Sequence, residues 1–456
     1  MLRIYSISLG CPKNLVDTEK TLGGLEQLRG GLLPVDAAEK ADLVFINTCA
    51  FIAPAVDESV RVILETADRL ANLPPERRPL LAAAGCLVGR FGGKDLAPDL
   101  PEVDLLLESR DLPDWPARLS AALEVRAGGH PGSPLLPHPI SRLLSTGPSY
   151  AWLKVSEGCR QACSFCVIPA IRGSLRSAPA ASLREEAVRL LDQGVREIIL
   201  VAQDLTSWGT DLPAGERLPG LLRSLLSLRG LDRLRLMYLY PSGLTDDLLR
   251  FLQDAGPPFV PYFDIPLQHA APGILGRMGR PFAGDPRAVV DRVRKFFPQA
   301  ALRTSLMVGF PGETEADFDL LCRFVREIRF THLGVFAFSP EEGTPAALLK
   351  GRVRARVSGD RRSVLMGIQK EISGELLAAC LGQRLSILVD RPQGEWPGLH
   401  LGRAWFQAPE ADGVTYVSGP GVAPGLLVEA EITETSSYDL VALTDEAGSG
   451  AGSARG

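Results

Sequence analysis

The sequence has no long apolar run, no excess of basic residues and no dense array of paired cysteines. No stretch approaches the about 18 uninterrupted apolar residues that a membrane-spanning helix needs. The amino-terminal MLRIYSISLGCPKN lacks the apolar core of a secretion signal. A formal net charge of −5 argues against a surface that binds nucleic acid throughout by neutralising phosphates. We therefore expect a cytoplasmic protein.

The eight cysteines are spread over 456 residues, which favours thiols kept reduced for metal binding or catalysis. Three of them form a compact motif, Cys159-Arg-Gln-Ala-Cys163-Ser-Phe-Cys166. Because a four-iron cluster normally has four cysteine ligands, three thiols at this spacing predict a cluster with one iron open to a substrate or cofactor.

A structural zinc site is the alternative for these three thiols. Tetrahedral zinc would need one more cysteine or histidine nearby. The sequence has neither between Cys166 and His269, so the spacing favours an iron–sulfur cluster.

Residues 1–126 alternate apolar strands with helical patterns, which predicts an open parallel α/β sheet with covering helices. Cys11, Cys49 and Cys86 each come just after a predicted strand. Because the carboxyl ends of such strands form the ligand crevice, we expect these thiols to meet as a second cluster site. The alternative is three buried core cysteines, which would more often lie inside the strands.

Residues 127–149 are rich in proline, glycine and serine and predict a linker, in which His130 and His138 are expected to be solvated. Residues 150–380 then alternate six apolar strands with helices, which predicts a partial TIM-like (βα)6 barrel. Catalytic groups in such barrels lie on the loops after the strands. The cysteine loop follows the first of these strands, as that rule requires.

Other predicted strand ends in this segment carry polar or glycine residues. Gln203 and Asp204 follow the second strand, Gln268 and His269 the fourth, and the turn from Gly309 to Gly312 the fifth. For each of these alone, a loop or capping role is the alternative. His332, Cys322 and Cys380 are predicted to be structural.

Residues 381–445 show short strands separated by glycine, proline and aspartate, which predicts a small antiparallel β-barrel. Three arginines in this segment stand against nine acidic residues. Because RNA binding needs lysine and arginine to neutralise phosphates, the segment suits a basic protein partner better. Residues 446–456 are of low complexity and predict a flexible tail.

Over nearly its full length the chain resembles the methylthiotransferase branch of the radical S-adenosylmethionine enzymes. That branch has an amino-terminal domain with three cluster cysteines, a central radical barrel and a carboxyl-terminal TRAM-type β-barrel. The motifs that carry the resemblance are SEGCRQACSFCVIPAIRGSLRS, SLGCPKNLVDTE, NTCAFIAPAVDES, DIPLQHA, VGFPGETEADF and GRAWFQAPEADG.

Within that branch the motifs are similar to those of the subgroup that modifies an aspartate of the twelfth small-subunit ribosomal protein. The subgroup that modifies tRNA typically has Gln-Met where this chain has Pro12-Lys13, and a more basic TRAM domain. One departure is the Pro-Ser-Gly that follows Tyr240, where the subgroup often has further aromatic or histidine residues.

The resemblance implies a transferase with two 4Fe-4S clusters. One cluster, on Cys159, Cys163 and Cys166, would cleave S-adenosylmethionine and so start hydrogen abstraction from the β-carbon of the aspartate. The other would carry the sulfur that is delivered, on Cys11, Cys49 and Cys86.

By the same analogy, the candidate S-adenosylmethionine contacts are Gln203, Gln268, Gly309 and Gly312. The implied partners are a basic ribosomal protein, free or on the ribosome, and a reductant of the flavodoxin or ferredoxin type. The alternatives are a tRNA adenosine methylthiotransferase, a non-enzymatic iron–sulfur electron carrier and a zinc-bound scaffold.

Overall fold

A computed structural model describes residues 1–128, 142–213, 215–282 and 285–445. Most of the predicted linker, including His130 and His138, and the predicted tail at 446–456 lie outside the described residues. None of the described helices is long and apolar enough to cross a membrane.

The amino-terminal region is a parallel sheet covered by helices, as predicted. The sheet has five strands in the order β2-β1-β3-β4-β5, with every neighbouring pair parallel. β3 and β4 are buried along their whole length, which explains their unbroken apolar runs. The strands are β1 (Leu2–Ser8), β2 (Leu32–Pro34), β3 (Leu43–Thr48), β4 (Leu80–Gly85) and β5 (Leu105–Glu108). The helices are α1 (Pro12–Arg29), α2 (Ala53–Ala71), α3 (Cys86–Phe91), α4 (Gly93–Leu96) and α5 (Trp115–Arg126).

The central region is a six-stranded parallel sheet, as the (βα)6 pattern predicted. Its strand order is β13-β12-β11-β10-β9-β6, and a two-stranded ribbon of β7 and β8 flanks the cysteine loop. The strands are β6 (Tyr150–Lys154), β7 (Ser156–Glu157), β8 (Arg176–Ser177), β9 (Glu197–Val201), β10 (Arg233–Leu236), β11 (Phe259–Asp264), β12 (Ala301–Val308) and β13 (His332–Ala337).

Most helices of this region alternate with the strands and pack on one face of the sheet, where their apolar stripes join the large core that includes Leu153 and Leu200. The helix at 168–172 instead joins the amino-terminal core through Ile171, and the helix at 272–277 forms a small separate core through Ile274 and Leu275. The helices are α6 (Ile168–Arg172), α7 (Ala180–Asp192), α8 (Leu218–Leu226), α9 (Asp246–Ala255), α10 (Pro272–Arg277), α11 (Pro286–Phe296), α12 (Glu315–Ile328) and α13 (Ala355–Ala378).

The carboxyl-terminal region is a closed five-stranded β-barrel, as predicted. Its order is β14-β15-β16-β18-β17, formed by β14 (Arg384–Pro392), β15 (His400–Arg403), β16 (Thr415–Ser418), β17 (Leu427–Thr435) and β18 (Leu440–Leu443). The expectation of a wholly antiparallel barrel is wrong at one pair, because β16 and β18 are parallel. β17 lies between them in sequence and pairs antiparallel with β18, so the chain returns in the direction of β16.

The β-barrel packs against the second face of the central sheet. Trp152, Ile199 and Tyr262 from the sheet share one core with Ile387 and Phe406 from the barrel. Helices therefore cover one face of the central sheet, and the carboxyl-terminal barrel covers the other.

Candidate metal-cluster sites

The loop from Cys159 to Cys166 is held in place by the end of β9 and by the carboxyl-terminal end of α10. The Gln161 side chain donates to Asp204 at 2.8 Å, and the Ser164 backbone N–H donates to the Met278 carbonyl at 3.1 Å. Asp204, which the sequence placed at a strand end, therefore anchors the cysteine loop to β9.

The three thiols of this loop lie next to one another, with positive charge beside them. Arg280 Nη1 donates to Cys163 Sγ at 3.2 Å. The hydroxyl of Tyr240 lies 4.0 Å from the same sulfur, and the Arg280 guanidinium lies 4.5 Å from the centre of the Tyr240 ring. Burial, followed by the neighbouring Cys163 and Cys159 thiols, raises the pKa of Cys166 to about 12. Metal binding here must release protons, because the thiolate is the ligand.

The second set of thiols comes together at the carboxyl ends of β1, β3 and β4. A Cβ on Gly10, directly before Cys11, would lie 2.8 Å from Cys49 Sγ, so only glycine allows this approach. The Asn14 Oδ1 lies 3.8 Å from Cys86 Sγ, and its Nδ2 donates to the Thr48 carbonyl at 2.9 Å. One asparagine on α1 thus joins two strand ends around the three thiols.

The protonation of these thiols is set by burial and by two cations. Burial raises the pKa of Cys49 to about 11 and also raises the pKa of Cys86, against the effect of Arg172. Burial also disfavours the Cys11 thiolate, but Lys13, the Asn14 backbone N–H and Arg172 together lower its pKa below the usual value. Cys11 is therefore the thiol of this set that ionises most readily.

Each trio has the chemistry that a four-iron cluster needs. Each offers three soft thiol ligands, and each has an arginine beside one sulfur, Arg280 at Cys163 and Arg172 at Cys86. Among the described residues, no three His, Cys, Asp or Glu converge tightly enough to hold a single metal ion. A four-iron cluster is larger than one ion, so its thiols stand further apart.

Gln203 lies at the end of β9 and leaves one polar atom free. Its Nε2 donates to Glu157 at 2.9 Å, whereas its buried Oε1 has no hydrogen-bond partner within the described parts of the chain. A buried acceptor without a donor is costly unless a ligand supplies one. Gln268 has a left-handed backbone with φ 73°, and its backbone is paired to β12 through the Ser305 carbonyl at 2.9 Å.

Gly309 and Gly312 have packing reasons of their own to be glycine. Both have positive φ, 75° and 84°. A Cβ on Gly309 would collide with Ser358 of α13, and one on Gly312 would collide with Arg277. Contact of these glycines with S-adenosylmethionine stays a prediction.

Four buried charges between the two trios were not predicted from the sequence. Lys154 forms ion pairs with Asp17 and with Glu157, the latter at 2.8 Å. Arg172 binds the same two carboxylates at 2.8 and 3.0 Å. The available signal was a lysine inside the otherwise apolar strand YAWLK, because a buried charge is rarely left unpaired.

A cavity of about 640 Å³ borders the second trio. Cys11 and Pro12 line it from the amino-terminal region, and Asp390 and Glu410 line it from the carboxyl-terminal barrel. Glu410 accepts a hydrogen bond from the Tyr150 hydroxyl at 2.8 Å, which fixes this wall of the cavity.

Two residues that the sequence predicted to be structural are packed inside the protein. The Nε2 of His332 lies 2.6 Å from the Phe406 carbonyl oxygen, and burial lowers the pKa of this imidazole. Cys322 belongs to the large core between the central sheet and its helices.

Three family models match successive parts of the chain. Uncharacterized protein family UPF0004 matches residues 3–108, the Radical SAM superfamily residues 153–325, and the TRAM domain residues 381–444. Among solved structures, the radical S-adenosylmethionine methyltransferase TsrM from Kitasatospora setae, with cobalamin and a 4Fe-4S cluster bound, aligns with a TM-score of 0.54. The alignment covers 88% of this chain and 80% of that chain at 15% identity, so it shows the fold alone.

Relatives of the same length are much more similar in sequence. The ribosomal protein uS12 methylthiotransferase RimO of Nitratidesulfovibrio vulgaris (strain DP4) is 61% identical, over 97% of this chain and 100% of the relative. The protein of that name from Oleidesulfovibrio alaskensis is 59% identical over the same shares. The chain therefore belongs to the family of RimO-type radical S-adenosylmethionine methylthiotransferases.

Proposed function

We propose that this transferase adds a methylthio group to the β-carbon of an aspartate in ribosomal protein uS12. The observation that carries the proposal is the pair of cysteine trios in one chain, connected through the buried Arg172, which contacts Cys86 of one trio and Glu157 beside the other. One trio lies on the loop after β6, where radical S-adenosylmethionine barrels hold their cluster, and the other lies at the strand ends of a second sheet. The relatives in this family carry the name of this activity.

The cluster ligands proposed for this chain are the six cysteines of the two trios. When bound, the two 4Fe-4S clusters and S-adenosylmethionine supply the one-electron chemistry and the sulfur that no amino-acid side chain can supply. The first cluster is proposed to lie on Cys159, Cys163 and Cys166, and the second on Cys11, Cys49 and Cys86.

The protein's own share of the reaction is binding, orientation and exclusion of water. Arg280 and Arg172 place positive charge beside one thiol of each trio. The free Oε1 of Gln203 is proposed to accept a hydrogen bond from S-adenosylmethionine, with Gln268, Gly309 and Gly312 as further contacts. These groups would orient S-adenosylmethionine at the carboxyl ends of the central strands.

The substrate is proposed to approach from the side of the carboxyl-terminal barrel. The cavity beside Cys11 opens between that barrel and the amino-terminal region. The excess of acidic residues over 381–445 suits a basic ribosomal protein and disfavours the phosphates of tRNA. The electron is proposed to come from a flavodoxin or ferredoxin, in the cytoplasm.

Anaerobic reconstitution with iron and sulfide, followed by incubation with a uS12 loop peptide, S-adenosylmethionine and reductant, tests the proposal. We expect about eight irons per chain, since each cluster holds four, and a methylthio mass gain on the aspartate. If the protein binds about eight irons per chain and forms deoxyadenosine, but neither the peptide nor intact ribosomes gain mass, uS12 is not the substrate. A tRNA anticodon stem-loop, added in parallel, should stay unmodified.

A further inference from the structure

Arg172 connects the two cysteine trios. It is the last residue of α6, the short helix that follows Cys166, yet its guanidinium lies against a thiol of the other trio. Nε and Nη2 donate to Cys86 Sγ at 3.3 and 3.2 Å. The side chain is only 2% exposed.

The guanidinium is held in one position because all five of its N–H groups have an acceptor. Nη2 donates to Asn14 Oδ1 at 2.5 Å, in addition to its bond to Cys86. Nη1 donates to Asp17 at 2.8 Å and to Glu157 at 3.0 Å. Asn14 and Asp17 lie on α1 beside the second trio, and Glu157 lies two residues before Cys159.

The same contacts form a continuous polar chain from the barrel mouth to Cys86. Gln203 donates to one oxygen of Glu157 at 2.9 Å, and the other oxygen of Glu157 accepts from Arg172. Lys154 balances the charges, so two cations face two carboxylates in a water-poor layer. Removing one charge there leaves another unpaired.

We propose that Arg172 is the positioning residue of the second cluster. Its hydrogen bonds to Cys86 also raise the midpoint potential of that cluster. Hydrogen bonds to ligand sulfur raise the potential of an iron–sulfur cluster, and groups behind the ligands orient them. The rigid fork of arginine can donate two bonds to one sulfur while it binds two carboxylates, which a lysine cannot do. This inference rests on the proposed second cluster.

The test uses a full-length background in which Cys159, Cys163 and Cys166 are replaced by alanine, so that only the second site can take up iron. Reconstituted protein is assayed for iron and titrated electrochemically with detection by electron paramagnetic resonance. The variants are Arg172→Gln, Arg172→Lys and Glu157→Gln. The matched control is Arg142→Gln, another arginine with 2% exposure, whose partners are Glu19 and Glu186 rather than a thiol.

We expect Arg172→Gln to lower the midpoint potential, or to lose iron from the second site, while the control keeps both. Arg172→Lys should fold, because it keeps the positive charge. It should also lower the midpoint potential, but by less than Arg172→Gln does. Glu157→Gln should raise the potential, because it leaves the Arg172 charge in excess.

A structural role confined to the interface would change the melting temperature of Arg172→Gln and Arg142→Gln alike, with iron and potential unchanged in both. That result would overturn the inference. Failure of the proposed second cluster is distinguishable, because the background without further substitutions would then bind no iron. Failure of the uS12 assignment alone would leave that iron in place and would appear only in the peptide assay.

Discussion

At the scale of single residues, charge and burial set how readily individual thiols ionise. Cys11 lies under the influence of Lys13 and Arg172, which lower its pKa, whereas burial raises the pKa of Cys49 and Cys166. An arginine beside one sulfur of each trio offsets part of the charge that three thiolates bring into the protein.

Cys49→Ala should separate the roles of the two trios. We expect iron to fall from about eight to about four per chain, with S-adenosylmethionine cleavage retained and methylthio transfer lost. Cys163→Ala should abolish deoxyadenosine formation instead. Iron assay and mass spectrometry measure these outcomes.

The control for both substitutions is Cys380→Ala, since Cys380 is a partly buried thiol packed at the base of the carboxyl-terminal barrel. It should keep both clusters and full activity. Normal methylthio transfer by Cys49→Ala would refute the role of the second trio.

Gln203→Ala should weaken binding of S-adenosylmethionine about tenfold, the usual effect of losing one buried hydrogen bond. The reason is the free Oε1 at the end of β9. Isothermal titration of anaerobic protein gives the dissociation constant. Gln253→Ala is the control, because its amide is already bonded to the Phe296 carbonyl between two helices; equal effects in both variants would exclude Gln203 as a contact.

At the scale of elements, tight turns after the strands bring distant helices close to the sheet. Gly309 follows β12 with a left-handed backbone, and its N–H donates to Glu313 at 2.6 Å. Ser358 of α13 fills the place of a Cβ. This turn therefore fixes the first turn of α13 against the end of the strand.

Gly309→Ala should lower the free energy of unfolding by about 2 kcal/mol, from strained backbone and from displacement of α13. Gly276→Ala is a suitable control, because that helical glycine has open space around it and alanine favours helix by up to about 1 kcal/mol. Urea denaturation followed by circular dichroism measures both. A destabilisation of Gly276→Ala as large as that of Gly309→Ala would contradict this account of the turn.

At the scale of the whole molecule, buried ion pairs join the carboxyl-terminal barrel to the central sheet. Glu197 of β9 accepts from Arg235 and from Arg403, each at 2.6 Å, and all three side chains are almost fully buried. Arg403 also binds Asp390, at the wall of the cavity beside Cys11. The position of the barrel and the shape of that cavity thus depend on one another.

Glu197→Gln should destabilise the protein by about 3 kcal/mol, because it leaves Arg235 without a buried counter-charge and Arg403 with Asp390 as its only carboxylate partner. Thermal unfolding, together with limited proteolysis of the carboxyl-terminal barrel, detects the loss. Glu375→Gln removes an exposed pair with Arg329 and should cost less than about 1 kcal/mol. Equal losses would show that the buried pair does not hold the barrel.

The pKa shift of Glu197 makes the stability of the protein depend on pH. Although burial alone would raise the pKa of Glu197, its arginine partners lower it from 4.5 to about 2. The unfolded state therefore binds the proton first as the pH falls, so the contribution of this group is full above pH 4.5 and is lost towards pH 2. Glu197→Gln should flatten the fall in stability over that range; an unchanged pH profile would contradict the shift.

The spacing of cysteines and the period of apolar residues were enough to predict both trios, the two parallel sheets and the carboxyl-terminal barrel. These features depend on residues close together in the chain, or on the general rule that strand ends meet at one edge of a sheet. The parallel pairing of β16 and β18 escaped prediction, because the strand pattern does not tell which neighbour a strand will find.

The sequence by itself determined which thiols are available to hold metal, since the residue types and their positions at strand ends can be read from short segments. Only the tertiary structure decided which charges lie beside these proposed ligands. Arg172 meets Cys86 across 86 positions, Arg280 meets Cys163 across 117, and Arg403 meets Glu197 across 206. Such pairs form where packing removes water from charged groups, and no local pattern encodes which partner will be there.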